Sequence, residues 1–290
     1  MRVAVTGGSG RIGTFVVREL IAGGHEVINI DRRYPSGAPE ASFVFAHLGR
    51  REQVQPVLEQ VDAVCHLGEI PSANAGPSPQ EVFVENVRAG SVVMQTAADL
   101  KLSRVIYTSS CQAYGLWADP VARPIRLPFD ETQPLAPHNA YALSKATNEA
   151  YARMLAERAG LSVAAFRFPW VETAAYDDAC LPGLRQPPGK TDGFATYLHA
   201  SDAARAYRLA LEHPRPGFEA YHFCAAEILS LHPLRERLRR HHADYPPLPC
   251  DWPAFKSPVL TTKARDHFGW EPRWNFLDFY RERHGEPQLP

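Results

Sequence analysis

Short apolar, β-branched runs alternate with stretches of helical periodicity through the first two thirds of the chain. The runs are Arg2 to Thr6, Glu26 to Ile30, Phe43 to Ala46, Ala63 to Leu67, Arg104 to Thr108 and Ser162 to Phe166. Between the first two, apolar residues fall at Ile12, Val16, Leu20 and Ile21, the spacing of one helix face. Strand alternating with helix predicts a parallel sheet covered on both faces. Right-handed crossovers then give a doubly wound α/β fold.

Two segments interrupt the alternation. Residues 115 to 138 hold Pro120, Pro124, Pro128, Pro134 and Pro137 and predict an extended loop ahead of a helix beginning near Asn139. Residues 172 to 195 are likewise rich in proline and glycine and precede a helical pattern over Asp202 to Leu211. Farther on, Leu231, Leu234 and Leu238 form a helical stripe, followed by a proline-rich stretch from Tyr245 to Pro258. The expected organisation is a nucleotide-binding domain of residues 1–168 and 194–225, with a small substrate lobe of residues 169–193 and 226–290. The basic run Arg235 to His242 is expected to be a solvated helix face.

With 290 residues, 45% of them apolar and 22% charged, the chain can bury a large core. A net charge of -1 gives no electrostatic reason to expect nucleic acid or an anionic membrane surface as partner, so a small molecule is expected. The five cysteines (Cys65, Cys111, Cys180, Cys224, Cys250) are scattered without a C-x-x-C pair, predicting reduced thiols and no metal site. The chain opens on a strand, leaving no room for a signal or transit segment, and it lacks an apolar run of the roughly 20 residues that span a bilayer. A cytoplasmic protein is expected.

Thr6-Gly7-Gly8-Ser9-Gly10-Arg11-Ile12-Gly13 lies directly between a strand and a helix, the context that makes a glycine motif specific for a dinucleotide. Gly7 serves the tight turn, Gly10 the approach of a pyrophosphate, and Gly13 the close packing of helix on strand. Backbone N–H groups around Arg11 and Ile12, at the helix start, face the phosphates. Asp31 ends the second strand, 18 residues beyond Gly13, where a carboxylate accepts hydrogen bonds from ribose hydroxyls and favours NAD over NADP. Arg32 and Arg33 fit stacking on adenine, pairing with a phosphate, or plain solvation.

Tyr141 and Lys145 stand one helical turn apart and share a face. A free phenol, with pKa about 10, is a poor base at neutral pH, but a neighbouring ammonium favours the phenolate. Tyr141 then exchanges a hydroxyl proton while hydride moves at carbon. The apolar run Val105 to Tyr107 leads into Thr108-Ser109-Ser110. That places Ser110 at the carboxyl edge of the sheet, where open α/β sheets bind ligands, and its hydroxyl suits the reacting oxygen.

Together these residues resemble the extended short-chain dehydrogenase/reductase superfamily, specifically its NAD-dependent epimerase/dehydratase family. The similarity runs through the glycine loop, Asp31, His66-Leu67-Gly68, Asn86, the Ser109-Ser110 strand end, Tyr141 with Lys145, Arg167, His199 to Ala204, and Gly269-Trp270-Glu271-Pro272. It implies a Rossmann-type fold and NAD as cofactor, with Ser110 as catalytic hydroxyl, Tyr141 as acid or base and Lys145 as its tuning cation. Leu67, Gly68, Ser109 and Phe168 complete the implied cofactor contacts, together with Tyr141 and Lys145. Asn86 and Asp202 are expected to hold helices in place. The resemblance also implies a homodimer through helices over about residues 81–100 and 139–159.

Departures from the family pattern narrow the chemistry. Trp170 stands where nucleotide-sugar epimerases have a phosphate-contacting asparagine, and only 35 residues separate Arg167 from Asp202, a short interval for a nucleoside pocket. Dehydratases would carry an acidic pair where this chain has Ser110 and Cys111. His47 replaces an aspartate that reaches adenine. Glu69, Ser72, Ser110, Gln112 and Trp170 are expected to line a pocket for a sugar ring or polyol, although Glu69 equally fits a solvated loop and Trp170 the core. The expected function is an NAD-dependent oxidoreductase acting on a CH–OH group of a small sugar, sugar acid or polyol. Alternatives are an epimerase and a non-catalytic NAD-binding regulator.

Overall fold

The computed structural model describes residues 1–36, 41–72, 75–76, 78–117, 122–173 and 194–287. Seven parallel strands form the main sheet: β1 (Arg2–Thr6), β2 (Glu26–Asp31), β3 (Ser42–Phe45), β4 (Ala63–His66), β5 (Arg104–Ser110), β6 (Val163–Phe168) and β9 (Phe218–His222). Their order is β3-β2-β1-β4-β5-β6-β9, the doubly wound arrangement expected. The chain builds outward from β1 to β3, then crosses back to lay β4 beside β1, with Thr6 paired to His66 at the strand ends. This reversal opens a crevice at the carboxyl edge.

Alternation along the strands divides the core. Val3 and Val5 of β1 face one side, where they meet Val16, Val17 and Leu20 of α1 (Gly13–Ala22) and Ala203, Tyr207 and Ala210 of α5 (Ala200–Glu212). Ala4 faces the other side, toward Val54 and Leu58 of α2 (Arg51–Leu58), Val93 of α3 (Pro79–Asp99) and Leu155 of α4 (Ala140–Ala159). Period-two burial on both faces is what a covered parallel sheet requires.

Not every element was predicted. Strand β9 lies inside the segment assigned to the nucleotide-binding domain without a strand of its own. It pairs parallel with β6 from Val163↔Phe218 to Arg167↔His222. A separate two-stranded ribbon joins β7 (Trp170–Glu172) to β8 (Tyr197–His199). The Pro/Gly-rich stretch of residues 172–195 lies mostly outside the described residues, which here stop at Thr173 and resume at Phe194.

Two further apolar clusters lie beyond the sheet. One joins Tyr114, Leu116, Leu127 and Phe129 from the proline-rich loop to Phe194, Ile228, Leu234, Leu238 and Val259. The other gathers Tyr197, Leu231, Phe276, Leu277 and Tyr280. Tyr114, Leu116, Leu127 and Phe129, expected in the nucleotide-binding domain, thus pack against the segment assigned to the small lobe.

Of the stripe Leu231, Leu234 and Leu238, the last two lie on α6 (Leu234–His241). The basic run there is not simply solvated. Arg237 shares the buried face of Leu234 and Leu238, is only 5% exposed, and donates to Ser230 Oγ at 3.3 Å. Arg235 donates to the Pro249 carbonyl at 2.7 Å. Three- and four-residue spacing brings Arg237 onto the leucine face, overriding its charge.

Helices α3 and α4 meet at Gly90, where a Cβ would stand 2.3 Å from Asn148 Nδ2. That amide is fixed by bonds to Glu69 Oε1 at 2.8 Å and to the Asn86 carbonyl at 3.0 Å, so it has nowhere to retreat. Gly90→Ala is expected to lower the unfolding free energy by about 1–3 kcal/mol, measured by denaturant titration; an unchanged midpoint would show that the helices separate freely.

Candidate active site

The switch point is built on glycine. Gly7 adopts φ +71, and a Cβ there would lie 2.7 Å from Gly68 Cα, so the turn after β1 touches the backbone after β4. A Cβ on Gly13 would fall 2.1 Å from the Gly7 carbonyl, as expected for helix packed tightly on strand. Helix α1 starts at Ile12 with no side-chain cap and no acidic residue in its first turn. Capping side chains serve α3 (Ser78) and α4 (Asn139). An uncapped helix start free of acids, beside a glycine cradle, fits a dinucleotide pyrophosphate.

Asp31 accepts from Ser9 N and Arg33 N, both at 3.1 Å. These bonds hold the carboxylate at the end of β2 beside the glycine loop, where ribose hydroxyls are expected. His47 is anchored through its backbone N–H to Gln53 Oε1 at 2.8 Å.

On α4, Asn139 Oδ1 accepts from Ala142 N at 2.8 Å, so the helix begins at Ala140 and Tyr141 sits in its first turn. Tyr141, Ser144, Lys145, Asn148, Glu149 and Ala152 form its buried face. Lys145 Nζ donates to the Thr108 carbonyl at the end of β5 at 2.7 Å, and stands 5.5 Å from the Tyr141 ring centroid. Ser110 Oγ accepts from Gln112 N at 3.1 Å, capping a short 3-10 turn over Cys111–Tyr114. Gln112 Oε1 is buried with no hydrogen-bond partner among the described residues.

Glu69 is not a solvated loop residue, and its carboxylate is enclosed. Its side chain is 2% exposed and Oε2 pairs with Lys145 Nζ at 2.5 Å. Tyr107 Oη donates to the same oxygen at 3.3 Å. Glu69 Oε1 accepts from Asn148 Nδ2 at 2.8 Å, and His66 Nε2 lies 3.4 Å away. The Thr6 hydroxyl accepts from Leu67 N and Gly68 N and lies 2.7 Å from His66 Nδ1. Burial pushes the Glu69 carboxyl up, but Lys145 and His66 outweigh it and hold it below its usual range. Burial likewise pulls the Lys145 ammonium down, and Glu69, with Tyr141 and Glu149, more than reverses this. Both groups are charged at neutral pH.

Several other expected contacts are placed differently. Ser109 Oγ donates to Glu149 Oε1 at 2.5 Å, so its hydroxyl is taken by a neighbouring buried carboxylate. Phe168, an expected cofactor contact, is 3% exposed, its ring packed among Phe166, Tyr207 and Phe223. Trp170 is neither core nor enclosed pocket wall: it is 59% exposed, with the Arg11 guanidinium 5.5 Å from its ring centroid. Pairing of β7 with β8 at Trp170↔Tyr197 holds it on the glycine-loop side. Ser72 lies in the loop after β4, its carbonyl accepting from Ala75 N at 3.3 Å.

Asn86 and Asp202 hold structure together, as expected. Asn86 Oδ1 accepts from Ile70 N at 2.7 Å, and its amide donates to Ile70 O and Ser144 Oγ. Asp202 accepts from Arg273 N, Trp274 N and Arg205. Beneath the site, Arg167 forks onto Glu149 at 3.0 and 2.6 Å and donates to Tyr114 Oη. Asn148 and Glu149 carried no assigned role in the sequence, although both follow Lys145 on the same face.

The sheet order, the glycine turn and the Tyr141–Lys145 pair at its carboxyl edge define a nicotinamide-dependent enzyme of the extended short-chain dehydrogenase/reductase type. The profile of the NAD dependent epimerase/dehydratase family matches residues 3–179, and the chain belongs to this family, with NAD as its cofactor. It is 27% identical over 315 residues to a dTDP-glucose 4,6-dehydratase of Streptomyces niveus, covering 96% of this chain and 90% of that protein. It is also 27% identical over 227 residues to an L-arabinose 1-dehydrogenase (NAD(P)+) of Haloferax volcanii, covering 74% of this chain and 84% of that protein. A double mutant of the Streptomyces venezuelae dTDP-glucose 4,6-dehydratase, solved with NAD bound, superposes with a TM-score of 0.68 at 25% identity over 98% of each chain.

His222 closes the Arg167 cluster: Nε2 meets Tyr114 Oη at 2.6 Å and Nδ1 meets the Leu260 carbonyl at 3.1 Å. Burial first, then the Arg167 charge, lowers it from 6.5 to about 3. Between those values the unfolded chain binds a proton that the folded chain refuses, so stability falls as pH falls through that window. His222→Gln is expected to flatten the dependence of Tm on pH there; a variant as acid-sensitive as the parent would contradict the buried neutral imidazole.

Proposed function

We propose that the chain is an NAD-dependent oxidoreductase that acts on a CH–OH group of a small, non-nucleotide sugar, sugar acid or polyol. The observation that carries this reading is the bond from Lys145 to the Thr108 carbonyl, which anchors the Tyr141–Lys145 face of α4 to the carboxyl edge of the sheet.

Tyr141 takes the substrate hydroxyl proton, and returns it in the reverse direction. Ser110 Oγ, already accepting from Gln112 N, directs its own proton to the reacting oxygen. The unpartnered Gln112 Oε1 accepts from a second substrate hydroxyl, a group that a polyol offers. Bound NAD supplies the hydride acceptor. Gly7, Gly10 and Gly13 with the N–H groups around Arg11 and Ile12 hold its pyrophosphate, and Asp31 its adenosine ribose, with Arg32, Leu67 and Gly68 alongside. Trp170, stacked with Arg11, covers the glycine loop rather than a sugar.

A small substrate is supported by the L-arabinose 1-dehydrogenase relative and by Trp170 at the position of a phosphate-contacting asparagine. Elimination of water needs an acid at the leaving hydroxyl, whereas Cys111, after Ser110, is a buried thiol donating to the Arg167 carbonyl at 3.2 Å. The second reading is a sugar epimerase, favoured by the matching UDP-glucose 4-epimerases, in which the same groups would oxidise a carbon and reduce it from the other face. We also propose a homodimer through α3 and α4, on which the apolar side chains of Val84 and Leu143 are exposed. The free thiols Cys65, Cys111, Cys224 and Cys250 support a cytoplasmic setting. No described helix is long and apolar enough to cross a membrane.

A panel of aldoses, uronates and polyols incubated with NAD is expected to yield steady NADH accumulation on at least one member. Tyr141→Phe is expected to cut that rate by about 100- to 10,000-fold while leaving the Kd for NAD within a few-fold. Product formed without net NADH would establish the epimerase, and full activity of the phenylalanine variant would remove Tyr141 from the mechanism.

A further inference from the structure

The proton transfer assigned to Tyr141 makes no use of Glu69, yet that carboxylate is the most completely satisfied charged group of the site. Three donors converge on it, Lys145 Nζ and Asn148 Nδ2 from α4 and Tyr107 Oη from β5, and His66 Nε2 of β4 lies 3.4 Å away. Its backbone neighbour Ile70 is clamped at both polar atoms by Asn86 of α3. A carboxylate is seldom buried without a partner that requires it. Lys145, with a side chain 4% exposed, is such a partner.

We propose that Glu69 is the positioning residue for Lys145: it fixes the ammonium against the Thr108 carbonyl and balances its charge, so that Lys145 acts as half of a neutral pair. This rests on the reading of Tyr141 and Lys145 as the proton-transfer pair. Glu69 and Thr108 take two of the three ammonium donors, which leaves one N–H for a cofactor ribose hydroxyl. The other ionisable groups around Lys145 are Tyr141 and Glu149 on α4, Tyr107 on β5, His66 on β4, and Tyr207 on α5, which reaches Thr108 Oγ1 at 2.5 Å. Glu149 is already matched by Arg167, and α3 contributes only the uncharged Asn86, so Glu69 is the main counter-charge to Lys145.

The test is an NMR titration of the intact protein carrying isotope-labelled lysine side chains. Five lysines are present, and Lys145→Arg identifies the resonance. With Glu69 in place, Lys145 is expected to stay protonated to the alkaline limit of the folded protein. In Glu69→Gln, burial is no longer compensated, and the Lys145 midpoint is expected to fall by at least about one pH unit, a ten-fold change in proton affinity. Glu69→Asp, which keeps the charge, is expected to retain a high midpoint. An unchanged Lys145 midpoint in folded Glu69→Gln would overturn the proposal. Should Glu69→Gln fail to fold, the double variant Glu69→Gln/Lys145→Met, lacking both charges, is expected to fold; if that variant also fails, Glu69 serves packing and the proposal falls. Neither substrate nor cofactor is present in this titration, so its outcome is independent of whether the chain oxidises a sugar.

Discussion

Strand order reverses between β1 and β4, and the crevice this creates has to be closed by backbone touching backbone. Gly7, at φ +71, lies where its Cβ would collide with Gly68, and the Thr6 hydroxyl accepts from Leu67 and Gly68 across the same gap. A parallel sheet with crossovers going opposite ways leaves such an opening at its carboxyl edge whatever its sequence. In this chain the residues around the opening prepare it for phosphate on one side and for a buried ammonium on the other. Helix α1 starts without a cap or an acid beside the glycine turn. Two strands away, the end of β5 receives Lys145.

The site is built from matched buried charges. Lys145 is balanced by Glu69, and Arg167 by Glu149. Each pair carries further hydrogen bonds that satisfy what the partner cannot, which is the condition for an ion pair to survive desolvation. The two pairs divide the labour of α4. Glu149 and Arg167 tie the helix to the neighbouring strand ends through Ser109 and Tyr114. One turn earlier, Lys145 reaches the carboxyl edge of the sheet at Thr108. Gly90 on α3 makes this possible by admitting Asn148, whose amide links Glu69 to the backbone of Asn86.

Much of this was legible in the sequence because it depends on local periodicity. The first six strands, helix α1 and the Asn139 start of α4 follow from apolar spacing and capping chemistry. So does the shared face of Tyr141 and Lys145. Strand β9 escaped because Phe218 to His222 mixes polar and aromatic residues, and only pairing with β6 defines it. Side-chain direction at strand ends was harder to read. Ser109 and Ser110 are adjacent, and alternation sends the first to Glu149 and the second to the edge. Phe168 turned into the core for the same reason, and Arg237 was drawn under by the leucines on its own face. Glu69 could be read either as a pocket residue or as a loop residue, since its hydrogen-bond donors Tyr107, Lys145 and Asn148 stand 38 to 79 positions away in the chain. Asn148, three residues after Lys145 on the same helical face, was the nearest available clue.

A crystal structure of the chain with NAD bound would show whether the cofactor lies along this carboxyl edge. The pyrophosphate is expected over Gly7 to Gly13 at the start of α1, the adenosine ribose on Asp31, and the nicotinamide ribose on Lys145 and Tyr141. Lys145 should still pair with Glu69, and the nicotinamide ring should stand before Ser110. NAD bound away from the carboxyl edge of β1 and β4, or a nicotinamide ribose that leaves Tyr141 and Lys145 untouched, would contradict this placement.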